Sequence, residues 1–376
     1  MCGTIRLKVA VSSTEQSVTE QAPRAQTVTM RDVARESGFS PTTVSITLND
    51  APLARYLPAH TKARIKQAAR KLGYRPNPFA RSLVSKRSQL IGVMVFDITD
   101  PWCTPILRGV EKTLYESSYV TIFTDSHNDP ARFERYLEML LDRRVEALVI
   151  VANWLFLDIN VLGDLRKRDV PTVLIGPELG ISSISSVVLD NEAGAYQALQ
   201  HLFELGHRDI AFIRGPEPLG DTGPRWKGIR SFADSVGLKL DPELVLDLPE
   251  SADPMSSFAG GLTLVEELLR RGRRFTALMA FDDMTALGAM RALAHAGIAV
   301  PRQCSVIGFD DIAPASLATP ALTTIRQPTE LMGSLAAGRV IEEVLAAHKG
   351  GSFKPVHHKV NPELVVREST APPPLG

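Results

Sequence analysis

Two different periodicities divide the chain. Between residues 28 and 75 the apolar positions recur three or four apart in three short bursts. These are Val33 and Ala34, then Val44 and Leu48, then Ile65, Ala68, Ala69 and Leu72. That spacing lays a stripe along one face of a helix. Thr29, with Asp32 three residues on, has the pattern of a capping box. Gly38 takes a positive φ cheaply, as a tight turn needs. Ser40 followed by Pro41 suits an N-cap and the first helical position. Thr61 caps the third helix in this reading and Gly73 ends it. Ala34, Gly38 and Val44 therefore have the spacing of a helix-turn-helix, although an ordinary αα-hairpin shares it. Next, Asn77 and Pro78 open a short helix ending near Ser85. A helix of about nine residues is marginal alone in water, so this one needs a partner helix and a polyanion to persist.

From Leu90 the pattern changes. Apolar runs (Leu90–Phe96, Val120–Thr124, Ala147–Val151, Thr172–Ile175, Ile210–Ile213, Ala277–Ala280 and Ser305–Gly308) alternate with helical stretches. The stretches are Pro105–Ser117, Arg132–Arg143, Ala193–Leu205, Thr285–Ala296 and Leu331–Ala347. Continuous apolar strands separated by helices imply parallel sheets covered on both faces. The 376 residues, 44% hydrophobic and 22% charged, suit two or three globular domains. The longest apolar stretch, Ala147–Leu157, is interrupted by Asn153, so no membrane span is expected. Cys2, Cys103 and Cys304 cannot all pair, and a reducing cytosol fits them best. Residues 1–27 are polar, lack a secretory h-region and read as a disordered tail or an over-long gene start.

The formal net charge is zero, from 42 basic and 42 acidic residues. Residues 28–89 hold twelve basic residues against Asp32, Glu36 and Asp50, a sum of +9. Residues 1–27 sum to +1, which leaves −10 for the remaining 287. A basic module beside an acidic body is the footprint of phosphate binding, or else a solvated basic face. If it binds DNA, its affinity falls steeply with salt.

In open α/β sheets ligands sit outside the carboxyl ends of the strands. That rule selects Asp97 and Trp102 after the first strand and Trp154 after Ala147–Val151. It also selects Arg225 and Trp226 after Ala211–Arg214, Asp282 and Asp283 after Ala277–Ala280, and Asp310 and Asp311 after Ser305–Gly308. Aromatic faces with a few charged groups suit a sugar or another ring ligand. Competing readings are lobe packing for Trp154 and helix capping for Asp283 and Asp311. Paired aspartates could also hold Mg²⁺ in an enzyme, but no His, Lys or third carboxylate completes a catalytic set.

The run Val28-Thr29-Met30-Arg31-Asp32-Val33-Ala34 is followed by Gly38-Phe39-Ser40, Thr43-Val44-Ser45, Leu48-Asn49 and Gly73-Tyr74-Arg75-Pro76-Asn77. Ala80-Arg81-Ser82-Leu83 then leads to Ile91-Gly92-Val93. In this order and at this spacing the chain resembles the lactose/galactose-repressor (LacI/GalR) family of bacterial transcription regulators, over all but the two tails. Two departures stand out. The stretch Asp50–His60 is about three residues longer than usual, and the base-reading position 46 is Ile46, which has no donor for a guanine but can pack on a thymine methyl or simply against the protein.

The resemblance implies an all-α helix-turn-helix DNA-binding domain and an α/β, two-lobed periplasmic-binding-protein-like core. Its divisions are a tail (1–27), a DNA-binding domain (28–76), a hinge helix and linker (77–89), a core (90–370) and a tail (371–376). Lobe 1 spans about 90–189 and 322–353, and lobe 2 about 190–321 and 354–370. Pro41, Thr42 and Ile46 would read bases, while Thr29, Ser40, Thr43, Ser45 and Asn49 would touch phosphates. Asn77, Ala80, Arg81 and Leu83 would form the minor-groove hinge, with Leu83 as its wedge. Trp102, Arg225, Asp282, Asp310 and, more weakly, Asp97 would bind an effector. Asp282 stands where the family often has Asn, and Ile175-Gly176-Pro177-Glu178 lacks an acidic-then-basic pair common there.

The implied partners are double-stranded DNA with a palindromic operator, a carbohydrate-like small-molecule effector and a second copy of the chain. No cofactor, metal, membrane or enzymatic activity is implied, and the expected function is that of a cytoplasmic, effector-controlled repressor. A solute-binding receptor would need a secretory signal and no basic module. A metal-dependent sugar or nucleotide enzyme would need turnover. The Pro-rich end, Ala371–Gly376, cannot form an added tetramer helix.

Overall fold

A computed structural model describes residues 28–49, 51–75, 87–152, 170–177, 183–217, 220–251, 253 and 256–374. Contacts divide the chain into two compact units between Lys86 and Arg87. The hinge residues Asn77, Ala80, Arg81 and Leu83, together with Trp154 and Glu178, lie outside the described residues.

The first unit contains α1 (Met30–Ser37), α2 (Pro41–Leu48), a 3₁₀ turn (Pro52–Tyr56) and α3 (Ala59–Leu72). The Thr29 backbone N–H and hydroxyl both donate to the Asp32 carboxylate, at 3.0 and 2.7 Å. Gly38 takes φ 73° at the end of α1, and Ser40 accepts the Thr43 N–H at 3.1 Å to start α2. Val33, Val44 and Ile65, one from each helix, are fully buried against one another with Ala34, Ala68 and Ala69. The cap expected at Thr61 falls earlier, at Pro58, and Thr61 is itself buried inside the first turn of α3. The 3₁₀ turn sits within the lengthened stretch and leaves Leu53 and Tyr56 exposed.

The second unit holds two sheets. The first has the order β11-β5-β4-β3-β1-β2, with β1 (Leu90–Val95), β2 (Val120–Asp125), β3 (Ala147–Val151), β4 (Thr172–Ile175), β5 (Ser185–Leu189) and β11 (His357–Val360). The second has the order β12-β10-β9-β8-β6-β7, with β6 (Ile210–Arg214), β7 (Val245–Asp247), β8 (Ala277–Met279), β9 (Ser305–Asp310), β10 (Thr323–Arg326) and β12 (Glu363–Val365). All pairings are parallel except β10 with β12. In each sheet the order reverses beside the first strand, which opens a crevice after β1 and after β6.

Two chain crossings differ from expectation. Thr323–Arg326 pairs with β9 in the second sheet, so the chain leaves that sheet after Arg326 rather than near Leu322. It returns between Val360 and Glu363 rather than near residue 354, because β11 pairs with β5 of the first sheet. In both cases a short strand extends an existing sheet edge before the chain crosses, and its backbone groups are satisfied there.

The helices of this unit are α4 (Cys103–Glu116), α5 (Pro130–Asp142), α6 (Asn191–Glu204), α7 (Thr222–Val236), α8 (Ser256–Arg270), α9 (Asp283–His295), α10 (Ala313–Leu317) and α11 (Thr329–His348). The long α11 joins the first sheet, lying against α4 and β4. A Cβ at Gly109 of α4 would stand 2.0 Å from the Glu330 carbonyl oxygen, and one at Gly333 of α11 would stand 2.1 Å from that of Ile106. The two backbones are therefore in direct contact, and only glycine fits between them.

The first unit has a small core, so truncating its largest member should matter disproportionately. Ile65→Ala is expected to cost about 2–5 kcal/mol and to abolish the cooperative unfolding of this unit. Differential scanning calorimetry should show that loss while the transition of the second unit stays in place.

Candidate functional site

Helix α2 presents one side outward. Pro41 and Thr42 are exposed and Ile46 is half-buried. Positions 42 and 46 are four apart and so share a face. The opposite face is committed inward, with Val44 fully buried and the Thr47 hydroxyl donating to the Thr43 carbonyl at 2.9 Å. Ser40 is exposed, and its hydroxyl lies 2.9 Å from that of Thr43. The Asn49 amide donates to the Ser45 hydroxyl at 3.2 Å. Thr29 is exposed, and its two hydrogen bonds hold the Asp32 carboxyl below the usual carboxylate range. Asp32 and Glu36 are matched by Arg35 and Lys71 at 2.9 and 2.7 Å. Arg31, Arg55, Arg64, Lys66 and Arg70 are exposed. The unit thus offers hydroxyls, backbone N–H groups at a helix start and a surplus of cations, which is the equipment for holding phosphates.

In the second unit a line of hydrogen bonds crosses the strand ends. Trp102, at the start of α4, donates its indole N–H to Gln327 Oε1 at 2.9 Å. Gln327 Nε2 donates to Asp310 Oδ1 at 2.5 Å. The Nη2 of Arg225 lies 3.5 Å from the same oxygen. Arg225 Nε donates to Asn191 Oδ1 at 2.8 Å, and Nη1 to the Phe281 carbonyl at 2.6 Å. The guanidinium is also 3.7 Å from the Phe309 ring centroid and 4.6 Å from that of Phe281. Asn191 donates in turn to Asp221. Phe212, Trp226, Phe281 and Phe309 line a small pocket beside Arg225. The backbone at Asp310 and Asp311 is left-handed, with φ 119° and 58°, which turns both side chains sharply at the end of β9.

Burial sets the electrostatics here. Asp310 is raised well above the ordinary carboxylate range by desolvation, which Arg225 opposes and Asp283, Asp282 and Asp100 reinforce. Desolvation also raises Asp221, against Arg225 and Asn191. Asp283 is fully buried and pushed up to about 8 by desolvation, although the Thr324 hydroxyl and the Ile312 N–H both donate to it.

Of the five expected effector residues, the structure joins Trp102, Asp310 and Arg225 through one intermediary. Trp102 is buried, so its indole N–H rather than an open ring face is its main polar feature. Asp282 caps α9, accepting the Thr285 N–H at 2.6 Å, so the capping role belongs to it and not to Asp283. Asp311 is no helix cap either, since it pairs with Arg326 and Arg367. Asp97 closes a local turn with Thr99. Asn191, Asp221, Phe281, Phe309 and Gln327 were not among the expected residues. Gln327 follows the β10 strand end, so the strand-end rule applied to Thr323–Arg326 would have found it. Among the described residues no cluster of three His, Cys, Asp or Glu is placed to hold a metal ion, and no helix is long and apolar enough to cross a membrane.

A helix-turn-helix unit followed by a two-sheet core with a polar line across its strand ends defines a DNA-binding regulator. Residues 29–77 match the bacterial regulatory proteins of the lacI family, and residues 199–370 match the periplasmic binding protein-like domain. An HTH-type transcriptional repressor PurR from Edwardsiella ictaluri is 32% identical over 350 residues, covering 92% of this chain and 98% of that protein. An HTH-type transcriptional regulator RegA from Clostridium saccharobutylicum is 32% identical over 342 residues, covering 91% and 98%. A lac repressor dimer bound to operator and the anti-inducer ONPF superposes with a TM-score of 0.79 at 26% identity, covering 92% and 100%. The transcriptional regulator CelR in complex with cellobiose superposes at 0.66 and 28%, covering 91% and 99%. The chain belongs to the LacI family of bacterial transcriptional regulators and acts by binding DNA.

The raised Asp283 makes stability depend on pH. Its pKa in the folded state lies above the ordinary value, so the folded chain binds more protons than the unfolded one between about pH 4 and 8. Its contribution to stability is therefore fullest below about pH 4 and declines as pH rises toward 8. Asp283→Asn should flatten this decline, as urea unfolding of both proteins at pH 5 and pH 8 would show. Equal slopes in the two proteins would exclude Asp283 as the source.

Proposed function

We propose that the chain is a cytoplasmic repressor without enzymatic activity that binds a palindromic operator as a homodimer and is switched by an uncharged carbohydrate. The hydrogen-bonded line from Trp102 to Arg225 is the observation that carries the effector reading. It lies at the strand ends where the sheet order reverses, beside an aromatic pocket, and it offers both donors and acceptors of the kind sugar hydroxyls use. The first unit is the DNA-binding domain and the second the effector core. Pro41, Thr42 and Ile46 read bases, Ile46 by packing on a thymine methyl. Thr29, Ser40, Thr43, Ser45 and Asn49 position the module on phosphates. Asn77, Ala80, Arg81 and Leu83 form the hinge, with Leu83 entering the minor groove.

A single module contacts too few base pairs for a unique genomic site, and two-fold pairing on a palindrome solves this. The outer strand β2 supports such pairing. It is the edge of its sheet, and Val120 and Phe123 are 59% and 42% exposed on it. An unpaired apolar edge favours association.

The test is selection of a duplex from a random palindromic library, followed by titration at several salt concentrations. A selected palindrome and a steep loss of affinity with salt are expected. Failure to enrich any palindrome would sink the reading. On the selected duplex, Leu83→Ala should weaken binding at least tenfold with an unchanged thermal midpoint, and undiminished affinity would rule out the wedge. Phe123→Glu should lower the mass measured by analytical ultracentrifugation to one chain, and an unchanged dimer would place the interface elsewhere.

A further inference from the structure

Gln327 stands at an unusual place. It is the first residue after β10, where the chain leaves the second sheet, and it lies two residues before α11, which packs with the first. Its side chain is buried, and both ends of its carboxamide are used. The oxygen accepts from Trp102, which follows β1 of the first sheet, and the nitrogen donates to Asp310, which ends β9 of the second. One side chain thus links the two sheets, on the oxygen of Asp310 that Arg225 also approaches.

The two elements beside this link form one body. Trp102 begins α4 and Gln327 precedes α11, and these helices touch backbone to backbone at Gly109 and Gly333. A helix of twenty residues is about 30 Å long, so α11 reaches from the strand ends to the opposite side of the sheet. There His348, its last residue, lies 3.4 Å from Glu146. Glu146 accepts the Gln89 N–H at 2.7 Å, close to where the chain enters the core from the linker.

We propose that Gln327 is the positioning residue that converts occupancy of the strand-end site into a change at the linker. A sugar hydroxyl donating to Asp310 takes the place of the Gln327 nitrogen. The carboxamide then releases its hold between Trp102 and Asp310, and α4 with α11 is free to shift against the second sheet. His348 and Glu146 carry that shift to Gln89. The inference rests on the effector reading above, but its test needs no effector.

The experiment titrates the full chain, without ligand, on the selected palindromic duplex. It compares the parent with Gln327→Met, Trp102→Phe, the double variant and His348→Gln. Met keeps the length and removes both polar ends of the side chain. Gln327→Met and Trp102→Phe are each expected to change operator Kd at least fivefold, in the same direction. The double variant should match the larger single change, because both break one link. His348→Gln, which lies far from the strand ends and serves if the cleft variants fold poorly, should move Kd in that same direction. Changes under twofold in the cleft variants, single effects that add in the double variant, or an unmoved His348→Gln would each overturn the proposal. Absence of operator binding by the parent chain would instead count against the DNA-binding reading. A ribose and cellobiose titration of Gln327→Met then separates the effector reading. If the parent responds to either sugar and the variant responds equally, the link carries no signal.

Discussion

A guanidinium that has lost most of its water governs the strand-end region. Arg225 is 7% exposed, and a charge so placed is costly unless other groups replace its hydration. Each of its three nitrogens is accordingly engaged or close to a carboxylate, and two aromatic rings lie against its carbon. Those partners come from α6, the segment after β8, and the end of β9. The requirement to surround one cation therefore fixes how the start of α6 meets two strand ends of the second sheet. Breaking such a pair from one side leaves a buried charge unmatched, at a cost of about 3–5 kcal/mol. The same requirement brings the guanidinium to 3.5 Å from the Asp310 oxygen that the Gln327 nitrogen also holds.

The helical contacts work alongside this electrostatic knot. Where α4 meets α11 the glycines let carbonyl oxygens approach to a distance no side chain permits. Contacts of this kind do not deform gradually, because close-packed backbones resist compression and transmit displacement. A pair of helices joined in this way behaves as a lever, and a side chain at one end needs only a hydrogen bond to bias it. The buried Glu343 reinforces the far half of α11 by accepting from Ser185 and Arg339, which ties that helix to β5.

Much of this was legible in the sequence, for reasons that differ by region. The three helices of the first unit were readable because each has its own start or stop signal and one apolar stripe. The error at Thr61 arose because a buried threonine near a helix start resembles a cap. In the core, the apolar runs announced β1, β2, β3, β4, β6, β8 and β9. Strands β5, β7, β10, β11 and β12 did not stand out, because they are short or edge strands with serine, threonine, aspartate or charged positions among the apolar ones. Missing β10 is what displaced the lobe crossing, and with it went Gln327. The strand-end rule found Trp102, Arg225 and Asp310. It could not tell which of two neighbouring aspartates would cap a helix, since that depends on which carboxylate the backbone turns toward Thr285.

The formal zero net charge illustrates how far local environment reshapes a count. Its parts are +1, +9 and −10 along the chain. The positive part is largely expressed, because Arg31, Arg55, Arg64, Lys66 and Arg70 are exposed and only Asp32 and Glu36 are matched against cations among the described residues of that unit. The negative part is not fully expressed. Asp221, Asp283 and Asp310 are buried carboxyls whose ionisation desolvation opposes. Asp283 is protonated in part even at neutral pH, since burial pushes it up to about 8. Counting every aspartate as a full charge therefore overstates the acidity of the core while leaving the basic module intact. The core is thus less acidic than its composition, while the unit that must hold phosphates keeps its cationic surplus.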